Sequence, residues 1–167
     1  RSTPEALLLV TGEGPALPAL RAQVEAAGIA GSVRFLGYLD RQKDLPDCYA
    51  AADVFVFASR TETQGLVLLE AMASGLPVIA RSAMGTSDIL DAGRGCLVPP
   101  DDFTAFGQTL AHFLAHRPVW GHLQREAREY AREWSDAAMA ERLASLYREL
   151  RRSHRAAHLE RLAIGGI

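Results

Sequence analysis

The sequence predicts an α/β protein built on a doubly wound parallel sheet. Short apolar runs rich in β-branched residues alternate with amphipathic helical segments, which is the pattern of repeated strand–helix units. The predicted strands lead into glycine-containing or polar loops rather than tight hairpin turns. The 167 residues, 49% of them apolar and 23% charged, match the size and composition of one globular domain.

The predicted elements follow one another in order along the chain. Strands are predicted at 6–11, 33–38, 54–57 and 78–80, with a short final strand just before Pro99, and helices at 17–27, 45–52 and 66–73. After position 100 the pattern is helical. One helix is capped by Asp101 or Asp102, a second opens at Pro118, and a third is capped by Ser135 or Asp136.

Composition excludes several classes of function. The net charge of −2 argues against a nucleic-acid-binding protein, and the sequence has no apolar window long enough to span a membrane. Cys48 and Cys96 stand alone, without the spacing of a metal site. The pairs His112/His116 and His154/His158 lack a third ligand, so we expect no metal.

The segment from Ser59 to Ala80 contains the residues that indicate a ligand-binding site. A polar loop follows the strand at 54–57, and the helix that begins after Gly65 ends at Gly75 and Pro77. Ligands of parallel α/β sheets bind beyond the carboxyl ends of the strands, where a helix start with free N–H groups suits a phosphate. Glu62 and Glu70 lie before and inside this helix, and a carboxylate there can accept hydrogen bonds from two sugar hydroxyls.

The spacing of Glu62 and Glu70, followed by Ala-Met-Ala-Ser-Gly-Leu-Pro-Val, resembles the signature of retaining GT-B glycosyltransferases, family four. The resemblance implies that Glu70 holds the ribose hydroxyls of a nucleotide diphosphate sugar and that Glu62 lies beside the transferred sugar as the catalytic residue. It places the diphosphate on the backbone amides of Gln64, Gly65 and Leu66. The variant Thr-Glu-Thr-Gln-Gly-Leu looks like that of the bacterial diacylglycerol glucosyltransferases within the family, because it lacks the aromatic that the family usually has two residues after the first Glu.

The resemblance also implies the other donor-binding positions and the partners. The donor-binding set is Gly12, Gly14, Gly37, Tyr38, Thr63, Gln64, Gly65, Leu66 and Glu70. For Gly12 and Gly14 a plain strand-to-helix turn remains an equal alternative, and for Tyr38 ordinary loop packing does. The implied enzyme needs no cofactor or metal. Residues 1–152 correspond to the donor-binding domain without its first β-α unit and the N-terminal acceptor domain, and 153–167 to a C-terminal tail.

Two other functions remain open from the sequence. A sugar-nucleotide epimerase on the same fold would need acid–base residues such as histidines, which the loops named above lack. A non-catalytic α/β module would use the cleft for a small ligand without needing Glu62 and Glu70. The expected location is the cytoplasm, and the C-terminal arginines leave open a peripheral contact with the inner face of the membrane.

Overall fold

The structure is a computed structural model that describes residues 3–91 and 93–164, with side chains described up to 154. Its strands are β1 (Leu8–Thr11), β2 (Val33–Gly37), β3 (Phe55–Phe57), β4 (Val78–Ala80) and β5 (Cys96–Leu97). Its helices are α1 (Leu17–Ala26), α2 (Asp44–Ala51), α3 (Leu66–Ala73), α4 (Phe103–Ala115), α5 (Gly121–Glu133) and α6 (Asp136–Ile164). Short 3-10 turns lie at Ala30–Ser32, Met84–Thr86 and Arg117–Trp120. The predicted α/β class is confirmed.

The strands are parallel and form two hydrogen-bonded sheets. β1 pairs with β2 from Leu8↔Val33 onward, and β3, β4 and β5 pair in that order, with Phe55↔Val78 and Val78↔Cys96 in register. The sequence predicted one sheet. Hydrophobic periodicity indicates which segments are strands, but it does not indicate which strands pair with each other. The two sheets therefore divide the described chain into a smaller half, with α1, and a larger half that holds α3 to α6.

The core lies on both faces of β4, whose three residues are fully buried. Because side chains alternate along a strand, Val78 and Ala80 face a cluster formed with α3 and α5, and Ile79 faces a cluster with Phe113 of α4. This two-sided burial explains why β4 reads as a continuous apolar run. It fixes α3, and therefore the loop before it, against the carboxyl edge of the sheet.

The half that contains β1, α1 and β2 is less well covered. Among the described residues α1 has no fully buried side chain, and Leu20 is 42% exposed. Leu8 and Leu36 on the strands are also exposed. The predicted apolar face of α1, with Leu20, Val24 and Ala27, therefore exists in the sequence but is not buried within the described chain.

The last helix extends into the segment predicted as a C-terminal tail, 153–167. α6 continues to Ile164, and the final residues 165–167 lie outside the described part. Residues 153–164 contain no Gly or Pro and include several Ala, Leu and Arg residues, which are good helix formers, so nothing in the sequence ends the helix earlier. Within the described residues, no helix has the length and apolar character needed to cross a membrane.

Candidate functional site

The loop between β3 and α3 is closed by its own glutamate. One carboxylate oxygen of Glu62, Oε1, accepts hydrogen bonds from the N–H groups of Gln64 and Gly65, each at 3.0 Å. Gly65 is the N-cap of α3 with φ of 68°, a left-handed conformation that favours glycine. A Cβ on Gly65 would lie 2.8 Å from Cδ1 of Ile89, so a larger residue also lacks space.

These hydrogen bonds stabilise the charged form of Glu62. The N–H groups of Gln64 and then Gly65 hold the pKa of Glu62 below its ordinary value of 4.5. The Glu62 side chain is therefore ionised at neutral pH and carries a negative charge at the start of α3. The helix dipole is positive at that end, which adds to the same effect.

A second loop packs directly on the Glu62 loop. The N–H of Gly85 donates to the carbonyl oxygen of Glu62 at 3.1 Å, and Gly85 lies so close to Thr63 that a Cβ would be 1.9 Å from its carbonyl oxygen. Thr86 braces this turn, because its hydroxyl donates to the carbonyl of Ala83 and accepts from the N–H of Ala83. The glycine-containing loop after β4 thus fixes the backbone around Glu62.

Glu70 lies one and a half turns into α3 and faces the loop that follows β2. Its carboxylate forms an ion pair with Arg41 of that loop, and the phenol of Tyr49 on α2 lies beside it. Burial of Tyr49, followed by the negative charge of Glu70, raises the pKa of Tyr49 to about 12. Tyr49 is therefore a neutral hydroxyl next to the Glu70 carboxylate.

A cavity of about 420 Å³ opens beside Glu70, between α3, α5 and the start of α6. It is lined by Leu66, Leu69, Glu70, Ala73, Arg128, Ala131, Arg132, Trp134 and Ser135. Apolar side chains with a few charged groups are typical of small-molecule sites. Glu70 and Leu66 are the predicted donor-binding residues that line it.

The remaining predicted residues meet at the carboxyl ends of β1 and β2. The N–H of Gly12 donates to the carbonyl oxygen of Gly37 at 2.7 Å, which joins the two strand exits. Gly14 follows in the same turn with open space around it. Tyr38 is 73% exposed and projects from the loop rather than packing in it. Arg41, three residues further along that loop, then links it to Glu70 on α3.

Several contacts of the site were missed by the sequence analysis. Arg41 and Tyr49 act on Glu70 from other elements, and no spacing rule relates a loop arginine to a helix 29 positions away. Arg60 and Arg81, on the loops after β3 and β4, both pair with Asp101. Within the described residues, no three His, Cys, Asp or Glu side chains are grouped as metal ligands would be.

A protein-family model described as "Glycosyl transferases group 1" matches residues 1–116, which is more than half of the chain. The chain belongs to this family. The signature spacing of Glu62 and Glu70 lies inside the matched region, as does the turn that carries Gly85. The predicted resemblance to GT-B glycosyltransferases is therefore confirmed at the level of the family.

Relatives of this group 1 glycosyltransferase chain are longer proteins. The chain is 37% identical over 114 residues to the mannosylfructose-phosphate synthase of Agrobacterium fabrum, covering 68% of this chain and 25% of that protein. It is 34% identical over 153 residues to the GDP-mannose-dependent monoacylated alpha-(1-6)-phosphatidylinositol monomannoside mannosyltransferase of Corynebacterium glutamicum, covering 86% and 39%. The chain thus spans between a quarter and two fifths of these two relatives.

Solved structures show the same fold. The crystal structure of HepE from Anabaena in complex with UDP and glucose superposes with a TM-score of 0.71 at 22% identity, and the match covers 86% of this chain and 43% of HepE. At that identity the likeness establishes the fold. The parallel sheets with flanking helices are therefore those of a GT-B domain.

Proposed function

We propose that this chain is the donor-binding domain of a retaining glycosyltransferase, which transfers a hexose from a nucleotide diphosphate sugar to a lipid or saccharide acceptor. The observation that carries the proposal is the placement of two carboxylates, Glu62 and Glu70, around the start of α3 in a group 1 family member. An amide-rich helix start between two such groups matches a diphosphate with a sugar on either side.

The diphosphate belongs at the start of α3 in this proposal. Leu66 and Val67 are in the first turn, and within the described chain their N–H groups have no hydrogen-bond partner. With the helix dipole, these groups can stabilise the negative charge that grows on the departing phosphate. Stabilising that charge is the main electrostatic task of a metal-independent glycosyl transfer, and Gln64 and Gly65 add two further amides.

The two carboxylates take different parts of the donor. Glu70 accepts hydrogen bonds from the ribose hydroxyls, because a carboxylate offers two oxygens with spare lone pairs. Glu62 orients the transferred sugar and stabilises positive charge near its anomeric carbon. The base lies near Gly37 and Tyr38, and Gly12 and Gly14 allow the backbone to approach the donor from the other side.

Relatives and neighbours support a nucleotide sugar as the donor. One relative is named for GDP-mannose, and HepE was crystallised with UDP and glucose. Uridine and guanosine nucleotides are therefore the two donor classes to test. Since the chain covers a quarter to two fifths of its relatives, we expect it to bind donor and to need an acceptor domain for turnover. We place the enzyme in the cytoplasm, with the membrane contact of a lipid acceptor as part of the same proposal.

Calorimetric titration of the chain with UDP and GDP tests this function. We expect one of them to bind, and Glu70→Ala to weaken it by roughly tenfold or more, the size expected for losing hydrogen bonds to a charged group. Glu141→Ala is the matched control, because Glu141 is an exposed partner of Arg148 on α6. Thermal unfolding of each variant shows that it is folded. Equal nucleotide binding by wild type and Glu70→Ala contradicts the proposal.

A further inference from the structure

The unliganded site satisfies its own donor-binding groups. The amides of Gln64 and Gly65, which the proposed function assigns to the diphosphate, both donate to Oε1 of Glu62. Carboxylate and phosphate oxygens are anionic acceptors of the same kind for backbone N–H groups. Glu62 therefore stands at these amides in the place that a phosphate oxygen would take.

The ribose end of the site is occupied in the same way. The carboxylate of Glu70 is paired with the guanidinium of Arg41, a donor group like the hydroxyls of a ribose. Arg41 is 69% exposed on its loop, whereas the Glu70 side chain is 29% exposed. The arginine is thus the more accessible partner and the one free to move away.

We propose that Glu62 and Arg41 are internal substitutes for the donor, which a nucleotide sugar displaces when it binds. The proposal rests on the proposed function and describes how the same site is regulated. The diphosphate takes the amides from Glu62, and the ribose takes Glu70 from Arg41. Displacement releases the Glu62 carboxylate from the two amides only when a donor is bound. The carboxylate is then available to interact with the transferred sugar.

The Arg41–Glu70 and Glu62–amide contacts are weak enough for a bound nucleotide to replace them. Exposed ion pairs contribute little to stability, so the Arg41–Glu70 pair can be replaced without a large cost. The Glu62 contacts use one charged acceptor for two neutral donors and sit in a half-exposed loop. Removing either substitute should therefore make nucleotide binding tighter, the opposite of what loss of an ordinary binding residue does.

The test compares a diphosphate nucleotide with its 2′,3′-dideoxy analogue, which lacks the hydroxyls that compete with Arg41. The nucleotide is whichever of UDP and GDP binds the 167-residue chain more tightly, measured by calorimetry. Arg41→Ala should tighten binding of the ribonucleotide by roughly two- to fivefold, the worth of an exposed ion pair, and leave the dideoxy analogue unchanged. Glu62→Gln should tighten both ligands to the same degree, because a neutral amide oxygen competes less well than a carboxylate for the N–H groups that the diphosphate takes.

Two control variants separate displacement from bulk charge. Arg148→Ala breaks another exposed Arg–Glu pair, on α6, and changes the net charge as Arg41→Ala does. Asp88→Asn removes an exposed negative charge close to the Gly85 turn, as Glu62→Gln removes one beside it. Both controls should bind the two ligands as the wild type does.

Different outcomes contradict the displacement of Glu62 and Arg41 and the proposed nucleotide-binding function. Weaker or unchanged ribonucleotide binding by Arg41→Ala or Glu62→Gln, in a wild-type chain that does bind, overturns the substitution and leaves the proposed function standing. Equal tightening by Asp88→Asn and Glu62→Gln also overturns it, since repulsion alone then explains the gain. Absence of nucleotide binding in the wild type and in both variants contradicts the proposed function itself.

Discussion

At the residue scale, Glu62 combines a predicted role with a local structural one. Its spacing from Glu70 identified it in the sequence, and its hydrogen bonds to Gln64 and Gly65 show that it also orders the loop before α3. A side chain that closes its own loop holds that loop in one conformation until a ligand takes its place. The residue therefore links the stability of the loop to ligand binding at the same amides.

The lowered pKa of Glu62 predicts an acid dependence of stability. Since the pKa is lower in the folded chain than its ordinary 4.5, the charged carboxylate stabilises the fold above that pH, and this contribution is lost as the pH falls through the lowered value. The free energy of unfolding, measured by denaturant titration between about pH 7 and pH 3, should fall less steeply in Glu62→Gln than in the wild type. Identical slopes would show that Glu62 has no shifted pKa.

Gly85 makes a second prediction at this scale. Gly85→Ala places a Cβ 1.9 Å from the carbonyl oxygen of Thr63, so the backbone must move and the chain should lose roughly 1–3 kcal/mol of unfolding free energy. Gly107→Ala is the control, since nothing lies within 4 Å of its Cβ position inside α4, and it should stabilise by about 0.5–1 kcal/mol. Thermal or denaturant unfolding measures both, and an unaffected Gly85→Ala variant would rule out the close approach.

Residue-level prediction was limited to signals that are local in the chain. Glu62 and Glu70 are separated by one loop and one helical turn and a half, so their spacing already limits where they can be. Arg41 reaches Glu70 across 29 positions, and its neighbours in the sequence form an ordinary polar loop. Contacts of that kind depend on how elements pack, which periodicity does not describe.

At the element scale, α3 is held in place by α5. The phenol of Tyr130 on α5 donates to the carbonyl oxygen of Ile89 at 2.6 Å, and its ring packs under the guanidinium of Arg94. Ile89 in turn touches the Gly65 cap of α3, so α5 supports the start of the helix that carries the site. Through Ile89, α5 therefore supports the backbone at the proposed diphosphate position.

Removing the phenol oxygen of Tyr130 tests whether its hydrogen bond stabilises the fold. Tyr130→Phe leaves the buried carbonyl of Ile89 without its donor and should lower the free energy of unfolding by about 1 kcal/mol. Tyr147→Phe is the matched control, because Tyr147 is 63% exposed on α6 and should be neutral. Denaturant unfolding followed by circular dichroism measures both variants. Equal stability of the two would mean that the hydrogen bond contributes nothing.

Elements with strong local signals were predicted closely. The range Leu66–Ala73 was expected for α3 and is observed, since good helix formers stand between Gly65 and the Gly75–Pro77 stop. The cap of α4 is Asp102, one of two candidates, whose carboxylate accepts from the N–H of Ala105 at 2.7 Å. The continuation of α6 past residue 152 was not predicted, because the residues that follow contain no Gly or Pro before 165 and so mark no boundary there.

At the scale of the whole molecule, the two sheets meet at the proposed donor site. The β1–β2 half supplies the loop with Arg41, and the β3–β5 half supplies Glu62, Glu70 and the start of α3. The sequence predicted a single sheet, and strand pairing across it is a long-range property that no local pattern encodes. The site therefore lies where the halves face each other, and a nucleotide would contact both.

The most direct measurement is a crystal structure of the chain with UDP or GDP, whichever calorimetry shows to bind. The account predicts that the ribose hydroxyls contact the carboxylate of Glu70, and that the diphosphate lies on the first amides of α3. A nucleotide bound elsewhere, with Glu70 still paired to Arg41 and Glu62 still on its amides, would contradict it.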